Sequence, residues 1–261
     1  MAAYYNEIDP WCAEMLRVLI ANGEIAHGEV DERSICDVDP KDLDGFTQCH
    51  FFAGIGIWSR ALRVAGFPDW RRVWTGSCPC QPFSQAGKGD EFGDERHLWP
   101  SWFRLIRERR PLVIFGEQVA SPTALGWADR VFSDLEGEGY AVGSVDTCAA
   151  GFGAPFIGQR LYFVADLFTE AERDEQPREE PCGGEAGRMG RFVEPVTWDC
   201  HWPIALARFR AMGDGDTRCV AATDAARNAL CLPQAEAFVR AYMEVHDKDF
   251  AGGERAAFAY A

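Results

Sequence analysis

A cysteine held between a proline and a glutamine is the residue of this chain best suited to covalent chemistry. Cys80 lies in the stretch Gly76-Ser77-Cys78-Pro79-Cys80-Gln81-Pro82-Phe83-Ser84, after residues 73–75, which have the apolar and β-branched character of a strand. A glycine- and charge-rich stretch, residues 85–95, follows. A thiol held rigidly on one side and covered by a movable loop on the other suits a nucleophile that forms a transient covalent bond.

Two further features with chemical potential also follow predicted strands. Glu117 comes after the apolar run 112–115, and an acid at that place is costly unless it is paired or faces a cavity; a solvated strand end is the alternative. A glycine turn, Gly54 to Gly56, separates a predicted strand from a helix and can bring backbone amides to a ligand. Because Gly54, Cys80 and Glu117 all follow strands, we expect them to line one crevice.

The elements that must position these residues alternate between strand and helix. Asp9 and Pro10 predict an N-cap and a first helical residue, and Asn22-Gly23 predicts the end of that helix. Further strands are expected at 140–145 and 160–164, and further helices at 57–65, 99–110, 127–137 and 234–245. This alternation predicts an α/β fold with an open, mostly parallel sheet.

Composition sets the class of protein. The chain has 261 residues with 47% hydrophobic content, enough for one large core, and no apolar run approaches the length of a membrane helix. With no signal-peptide pattern at the N-terminus we expect a cytoplasmic protein, so its ten cysteines are expected to be reduced. A zinc site built from Cys78, Cys80, Cys182, Cys200 and His201 is disfavoured, because the sequence contains no C-x-x-C pair, and we expect no metal.

The charge is unusual for a protein that binds nucleic acid. The net charge is -15, whereas phosphate binding favours basic surfaces. Two arginine groups are either a phosphate track or solvated helix faces, and the sequence favours neither reading. They are Arg104, Arg107, Arg109 and Arg110 in one helix, and Arg60, Arg63, Arg71 and Arg72.

Three segments resemble the catalytic motifs of the DNA (cytosine-5)-methyltransferases. Pro79-Cys80-Gln81 resembles the family's Pro-Cys-Gln nucleophile motif, and Glu117-Gln118-Val119 resembles its Glu-Asn-Val motif with Gln118 in place of Asn. Residues 153–165 resemble its Gln-x-Arg-x-Arg motif, with Gly158 at the first arginine and Arg160 at the second. The resemblance implies that Cys80 is the nucleophile, that Glu117 binds and polarises the base, and that Arg160 meets the base's O2.

A second set of segments resembles the family's binding motifs for S-adenosylmethionine. Phe52-Ala53-Gly54-Ile55-Gly56 resembles Phe-x-Gly-x-Gly-Gly, with Ile57 at the last glycine and His50 where the family usually has an acid. The resemblance implies adenine stacking by Phe52 and ribose binding by Glu7, beside Ile8. It also implies contact of the adenine amino group with Asp31, or alternatively Glu29, and a cofactor contact by Asn228, whose motif has Arg227 in place of glycine.

The order of these motifs is unusual. The segments with Glu7 and Asp31 precede the glycine turn, although in the family they follow it, and the 24 residues between Gly56 and Cys80 leave no room for them. We therefore expect a circularly permuted Rossmann-like methyltransferase sheet. The expected units are a catalytic, SAM-binding domain over 1–165, with 1–45 supplying the second and third strand segments, a small target-recognition region over 166–216, and a C-terminal segment, 217–261, completing the catalytic domain.

The resemblance implies a compact, phage-like enzyme, in a bacterial or phage-infected cell, that methylates C5 of cytosine in double-stranded DNA. It would use S-adenosylmethionine, release S-adenosylhomocysteine, flip the target base and act as a monomer. The acidic, glycine-rich region 166–216 predicts a target of about two or three base pairs, since it can hold few base contacts. Two alternatives remain open: a weakened homologue acting as a binding or partner subunit, and modification of nucleotides or single strands. The residues expected to contact DNA or the base are Gln81, Ser84, Gln118 and Arg96, with Arg188, Arg191, Trp198 and His201 as candidates for reading the target.

Overall fold

The fold is seen in a computed structural model, in which the described residues are 2–79, 98–120, 122–154, 157–167 and 230–246. The strands are β1 Ala2–Asn6, β2 Gly28–Asp31, β3 Phe46–Phe51, β4 Val73–Gly76, β5 Val113–Val119, β6 Ala141–Cys148 and β7 Gln159–Asp166. The α-helices are α1 Pro10–Ala21, α2 Ile57–Ala65, α3 Trp99–Arg109, α4 Pro122–Gly137 and α5 Leu232–His246. Short 3-10 turns occupy Ile35–Asp37, Pro40–Leu43 and Ala149–Phe152.

Within the described ranges the strands form one seven-stranded sheet in the order β2-β1-β3-β4-β5-β7-β6. The neighbours from β2 to β5 pair in parallel, and β7 runs antiparallel to both β5 and β6. The expected fold class, a mostly parallel Rossmann-like α/β sheet, is confirmed. The carboxyl ends of β1 to β5 consequently meet at one edge, where open α/β sheets bind ligands.

Aromatic side chains fill the two sides of the sheet. One core cluster contains Trp99 and Trp102 of α3, packed with Phe51 and Phe163. The other contains Trp58 of α2, packed with residues of β4, β5, β7 and α5. No helix among the described residues is long and apolar enough to cross a membrane.

Local signals predict several element ends correctly. Asp9 is the N-cap of α1, its side chain accepts the Cys12 N–H, and Pro10 is the first helical residue. The prediction for β5 is too short, since the strand does not stop with the apolar run but continues through Glu117 to Val119. Seven consecutive pairs with β7, from Val113 to Val119, hold that extension, so tertiary pairing overrides the local pattern.

Candidate active site

The carboxyl edge of the sheet brings together residues that are far apart in the chain. Asn6, the last residue of β1, pairs with Phe51 of β3 on one side and Asp31 of β2 on the other. Glu7 and the turn after Phe51 therefore start at the same level of the sheet. Glu7 Oε2 accepts the Gly54 N–H at 2.6 Å across 47 residues of sequence. The segments with Glu7, Asp31 and Gly54 thus lie beside one another.

The Glu7 carboxylate is fixed by backbone donors. Besides Gly54, the Asp9 N–H donates to Glu7 Oε1 at 2.9 Å. Burial raises the pKa of Glu7, and the backbone N–H groups of Asp9 and Gly54 partly oppose that rise. Ile8, the next residue, is 65% exposed. A carboxylate held in this way, beside an exposed apolar side chain, can accept hydrogen bonds from ligand hydroxyls.

Asp31 lies at the edge of the sheet but already has protein partners. It accepts the Tyr4 hydroxyl at 2.7 Å and forms an ion pair with Arg33 at 2.7 Å. Burial alone would raise the pKa of Asp31, but the hydrogen bonds from Arg33 and Tyr4 outweigh burial and hold it below its ordinary value. Glu29, the alternative candidate, pairs opposite Tyr4 inside β2 and is exposed, two residues short of that edge.

The glycine turn has the backbone freedom that a close approach by a ligand requires. Gly54 and Gly56 have φ angles of 53° and 77°, in the left-handed region that favours glycine. A Cβ built on Gly54 would meet no atom within 4 Å, so the space beside this turn is open. Phe52 also has a positive φ, 52°, and its half-buried ring packs edge-on against Trp102 at 6.0 Å. Ala53, between them, donates its N–H to Asn6 O.

A second group of residues lies at the ends of β4, β5 and β7. Glu117 is 7% exposed, and its Oε1 lies 2.8 Å from Arg160 Nε. Ser77, the residue directly after β4, contributes a hydroxyl group that favours the charged form of Glu117. Burial raises the pKa of Glu117 above its ordinary value, although the Arg160 guanidinium and the Ser77 hydroxyl both act to lower it. The sheet therefore holds a buried carboxyl group next to a cation, close to the segment that leads to Cys80.

Gln118 has both ends of its amide engaged within the protein. Its Nε2 donates to Cys78 O at 3.0 Å, and its Oε1 accepts the Val119 N–H at 2.9 Å. The side chain is buried and ties the segment after β4 to β5. This arrangement fixes the backbone at Cys78, two residues before Cys80 in the sequence.

His50 of β3 stands at the position where the resemblance described above would place an acid. It is buried, Tyr5 stacks on its ring at 4.9 Å, and its Nδ1 lies 2.8 Å from Thr75 Oγ1. Burial lowers the pKa of His50 to about 3. The imidazole is consequently neutral at physiological pH and belongs to the core of the sheet.

Most of the described arginines of the two candidate phosphate tracks face acids of the protein itself. Arg63 pairs with Asp69 at 2.6 Å, and Arg109 pairs with Asp44 at 2.6 Å. Arg60 and Arg110 also have acidic partners, at 2.9 and 3.1 Å. These contacts favour the reading of solvated, internally neutralised helix faces.

Several predicted site residues lie outside the described residues. They are Cys80, Gln81, Ser84, Arg96 and Asn228, together with the four candidates for target reading. Sequence reasoning missed Ser77 and Trp58: Trp58 Nε1 donates to Ser77 Oγ at 3.2 Å. The position of Ser77, three residues before Cys80, is the signal that could have drawn attention to it.

Comparison with known proteins identifies related sequences. The family model described as "C-5 cytosine-specific DNA methylase" matches residues 2–181, more than half of the chain. The Type II methyltransferase M.BanI of Aneurinibacillus aneurinilyticus is 33% identical over 111 residues, covering 40% of this chain and 25% of that protein. The Type II methyltransferase M.AluI of Cellulosimicrobium cellulans is 29% identical over 161 residues, covering 56% of this chain and 30% of that protein. The chain thus matches less than a third of the length of these relatives.

Solved structures are also similar. The Entamoeba histolytica methyltransferase EhMeth has a TM-score of 0.42 at 17% identity, covering 64% of this chain and 45% of that one. A mutant of Spodoptera frugiperda DNMT2 has a TM-score of 0.43 at 14% identity, covering 62% and 41%.

Proposed function

Since this chain belongs to the C-5 cytosine-specific DNA methylase family, we propose that it transfers a methyl group from S-adenosylmethionine to C5 of cytosine in double-stranded DNA. The observation that carries the proposal is the buried Glu117–Arg160 ion pair at the end of β5, beside the segment that leads to Cys80. A carboxyl group of raised pKa beside a cation suits a base whose ring nitrogens and carbonyl must be held and polarised.

Each residue of this group has a role in the proposed reaction. The target cytosine is flipped out of the helix, and its N3/N4 edge meets the Glu117 carboxyl group. Arg160 uses Nε for Glu117 and one terminal nitrogen for Gln159 O at 3.0 Å. Because a guanidinium has five N–H donors, others remain for the O2 of the base.

The covalent step belongs to Cys80. Its thiolate adds to C6, a C–S bond forms, and the electrons of the C5–C6 double bond make C5 nucleophilic. After C5 has gained the methyl group it loses its proton to solvent, the double bond forms again and the thiolate is released. Gln118 supports this step by fixing the backbone at Cys78, two residues earlier.

The residues at the other end of the crevice fit an adenosyl group. Glu7 offers a carboxylate for ribose hydroxyls, and the open space at Gly54 allows close approach of a ligand to the backbone. Phe52, Ala53, Gly56, Ile8 and Asn228 complete the proposed set, with Asp31 contributing whatever acceptor capacity Tyr4 and Arg33 leave free. S-adenosylmethionine, when bound, supplies the methyl group as an electrophile and leaves as S-adenosylhomocysteine.

We also infer that the catalytic fold is circularly permuted. The glycine turn follows β3, whereas the acids Glu7 and Asp31 follow β1 and β2, which come earlier in the chain. The strand order β2-β1-β3 supports the inference, because it lays the two acid-bearing strands in succession beside the strand of the glycine turn. In this proposal residues 166–216 form the target-recognition region and residues 217–261 complete the catalytic domain.

Context-resolved bisulfite sequencing of DNA from cells expressing the protein tests the function. We expect 5-methylcytosine within a target of about two or three base pairs, because a 50-residue, acidic region can fix few base contacts. Cells expressing Cys80→Ala should show none, while the purified variant still binds S-adenosylmethionine. DNA containing 5-fluorocytosine should give a covalent adduct with wild type only.

The controls separate the alternatives. Binding of S-adenosylmethionine without methylation of any DNA would favour a weakened homologue that acts as a binding or partner subunit. Turnover on dCMP or on single strands would favour modification of nucleotides or single-stranded DNA. Methylation by wild type that never gives the 5-fluorocytosine adduct would refute the role of Cys80. A strict target of six base pairs would contradict the expected short site.

A further inference from the structure

Ser77 and Glu117 face each other because of the register between two strands. β4 and β5 are parallel, and Gly76 pairs with Gly116. Ser77 directly follows β4, and Glu117 is the next residue of β5, so they lie beside each other at the carboxyl edge. This register brings the Ser77 hydroxyl group next to the Glu117 carboxylate, where donation from the hydroxyl group favours the charged form of the carboxyl group.

The direction of that donation is set by a third residue. Trp58 Nε1 lies 3.2 Å from Ser77 Oγ, and an indole N–H can only donate. The Ser77 oxygen therefore accepts from Trp58, and its single proton is available to the Glu117 carboxylate. The result is a one-way chain of donors that runs from Trp58 through Ser77 to Glu117.

Trp58, the first donor of this series, is held rigidly. Trp58 is 3% exposed, stacks on Phe115 at 6.0 Å and meets Tyr162 edge-on at 5.8 Å. It is the second residue of α2, the helix that starts directly after Gly56. The position of the indole N–H is consequently tied to the start of the helix that follows the glycine turn.

We propose that Ser77 is a positioning residue for Glu117. Held by Trp58 of α2, the helix that follows the glycine turn, Ser77 orients the carboxyl group that binds the base. The inference deepens the proposed function and rests on it, because it takes Glu117 to be the group that holds the base. Arg160 of β7 contacts the same carboxylate at 2.8 Å, so donors from two separate parts of the chain act on it.

The charged and titratable groups around Glu117 define what the test must control for. Among the described residues they are Arg160 and Tyr162 of β7, the latter directly opposite Glu117, with Cys231, before α5, interacting with both of these. Burial raises the pKa of both Tyr162 and Cys231, so near neutral pH Arg160 is the charged group of this set facing Glu117. Ser77→Ala changes none of these groups directly.

The test follows the Glu117 carboxyl resonance by NMR in protein labelled with ¹³C at glutamate, with the resonance assigned by its loss in Glu117→Gln. We expect the pKa of Glu117 to rise in Ser77→Ala, since a donor to the charged form is removed. It should rise by less in Trp58→Phe and stay near the wild-type value in Ser77→Thr, which keeps a hydroxyl group. Ser59→Ala is the matched control, because Ser59 is a buried, hydrogen-bonded serine next to Trp58 in α2 whose partners are Tyr5 and Ala26, not Glu117.

The kinetics of methyl transfer provide a second measurement. In Ser77→Ala we expect kcat to fall about tenfold, as for a lost hydrogen bond to a charged group, while the KM for S-adenosylmethionine stays within about twofold. Ser77→Thr should restore most of the rate. A Glu117 titration identical in Ser77→Ala and wild type would overturn the inference even if the protein methylates DNA. If wild type transfers no methyl group, the proposed function fails, while the titration still decides whether Ser77 acts on Glu117.

Discussion

At the scale of single residues, the buried carboxyl group of Glu117 is the most demanding feature of the site. Removing an ionised carboxylate from water is costly unless it is paired and hydrogen-bonded. Arg160 and Ser77 supply those partners, yet burial still outweighs them and the pKa of Glu117 is raised. The carboxyl group thus holds its proton more readily in the folded protein than in the unfolded chain, which suits the proposed contact of Glu117 with a ring nitrogen of the base.

The raised pKa of Glu117 predicts a pH dependence of stability. The folded protein binds more protons than the unfolded chain between the ordinary glutamate pKa and the raised one, so the free energy of unfolding falls as pH rises through that interval. Glu117→Gln removes this contribution. We expect the stability of Glu117→Gln relative to wild type to increase from about pH 4 towards neutral.

Urea denaturation of both proteins at a series of pH values measures this difference. The constant cost of leaving Arg160 without its acid cancels in the slope, which depends on Glu117 alone. A difference between the two proteins that stays flat over the range, or changes in the opposite direction, would show that burial does not raise the pKa of Glu117.

At the scale of elements, two glycines let aromatic rings pack very close to the backbone of the strands that end at the site. A Cβ on Gly76 would come within 2.5 Å of the Trp102 ring, and one on Gly116 within 2.0 Å of the Phe163 ring. Both rings are fully buried. These close approaches set the spacing of β4, β5 and β7 just before Ser77 and Glu117.

Gly116→Ala should therefore destabilise the protein by about 1–3 kcal/mol, as overpacking of a core does, and should also reduce methyl transfer by moving Glu117. Gly143→Ala is the matched control: Gly143 also lies opposite a residue of β7, but its added Cβ would meet only Val164, at 3.9 Å. Thermal or urea unfolding compares them. Equal stability of the two variants would mean that the contact with Phe163 does not constrain the sheet.

The elements also show what a sequence can predict. The cap at Asp9, the turn at Gly54 and the class of the sheet follow from local patterns, and all three are present. The end of β5 was predicted wrongly, because the apolar run stops at Phe115 while the strand is extended by its pairing with β7. The link from Trp58 to Glu117 depends on the register of β4 against β5, which no local pattern contains.

At the scale of the whole molecule, the proposed permutation is a statement about connectivity that leaves the strand positions unchanged. All the parallel strands have their amino ends on one side of the sheet and their carboxyl ends on the other. Residues 1–45 start and end near the amino ends of the strands, so the loop between α2 and β4 can accept them as an insertion. Moving residues 1–45, joined by glycine–serine linkers, to a position between α2 and β4 would place the acids after the glycine turn.

We expect this rearranged chain to fold and to bind S-adenosylmethionine with an affinity within about tenfold of the natural order, because the same side chains reach the same edge. Circular dichroism and isothermal titration measure the two properties. A control chain with the same block placed after α4 should lose the fold. If the rearranged chain also fails to fold, the block is not an interchangeable part of the sheet.

The hydrogen bond between Glu7 and Gly54 has a consequence for how the protein is made. Its two partners are 47 residues apart, and a ribosome adds about 5–20 residues per second. Twenty residues, or about one to four seconds of synthesis, separate the end of β2 from the end of β3, and in that interval β1 and β2 can form a parallel pair joined by α1 before β3 leaves the ribosome. During that interval the other side of β1 is a bare strand edge, open to pairing with a neighbouring nascent chain. The arrival of β3 closes that edge and completes the crevice, so the speed of translation through residues 32–51 should influence how much of the protein escapes aggregation.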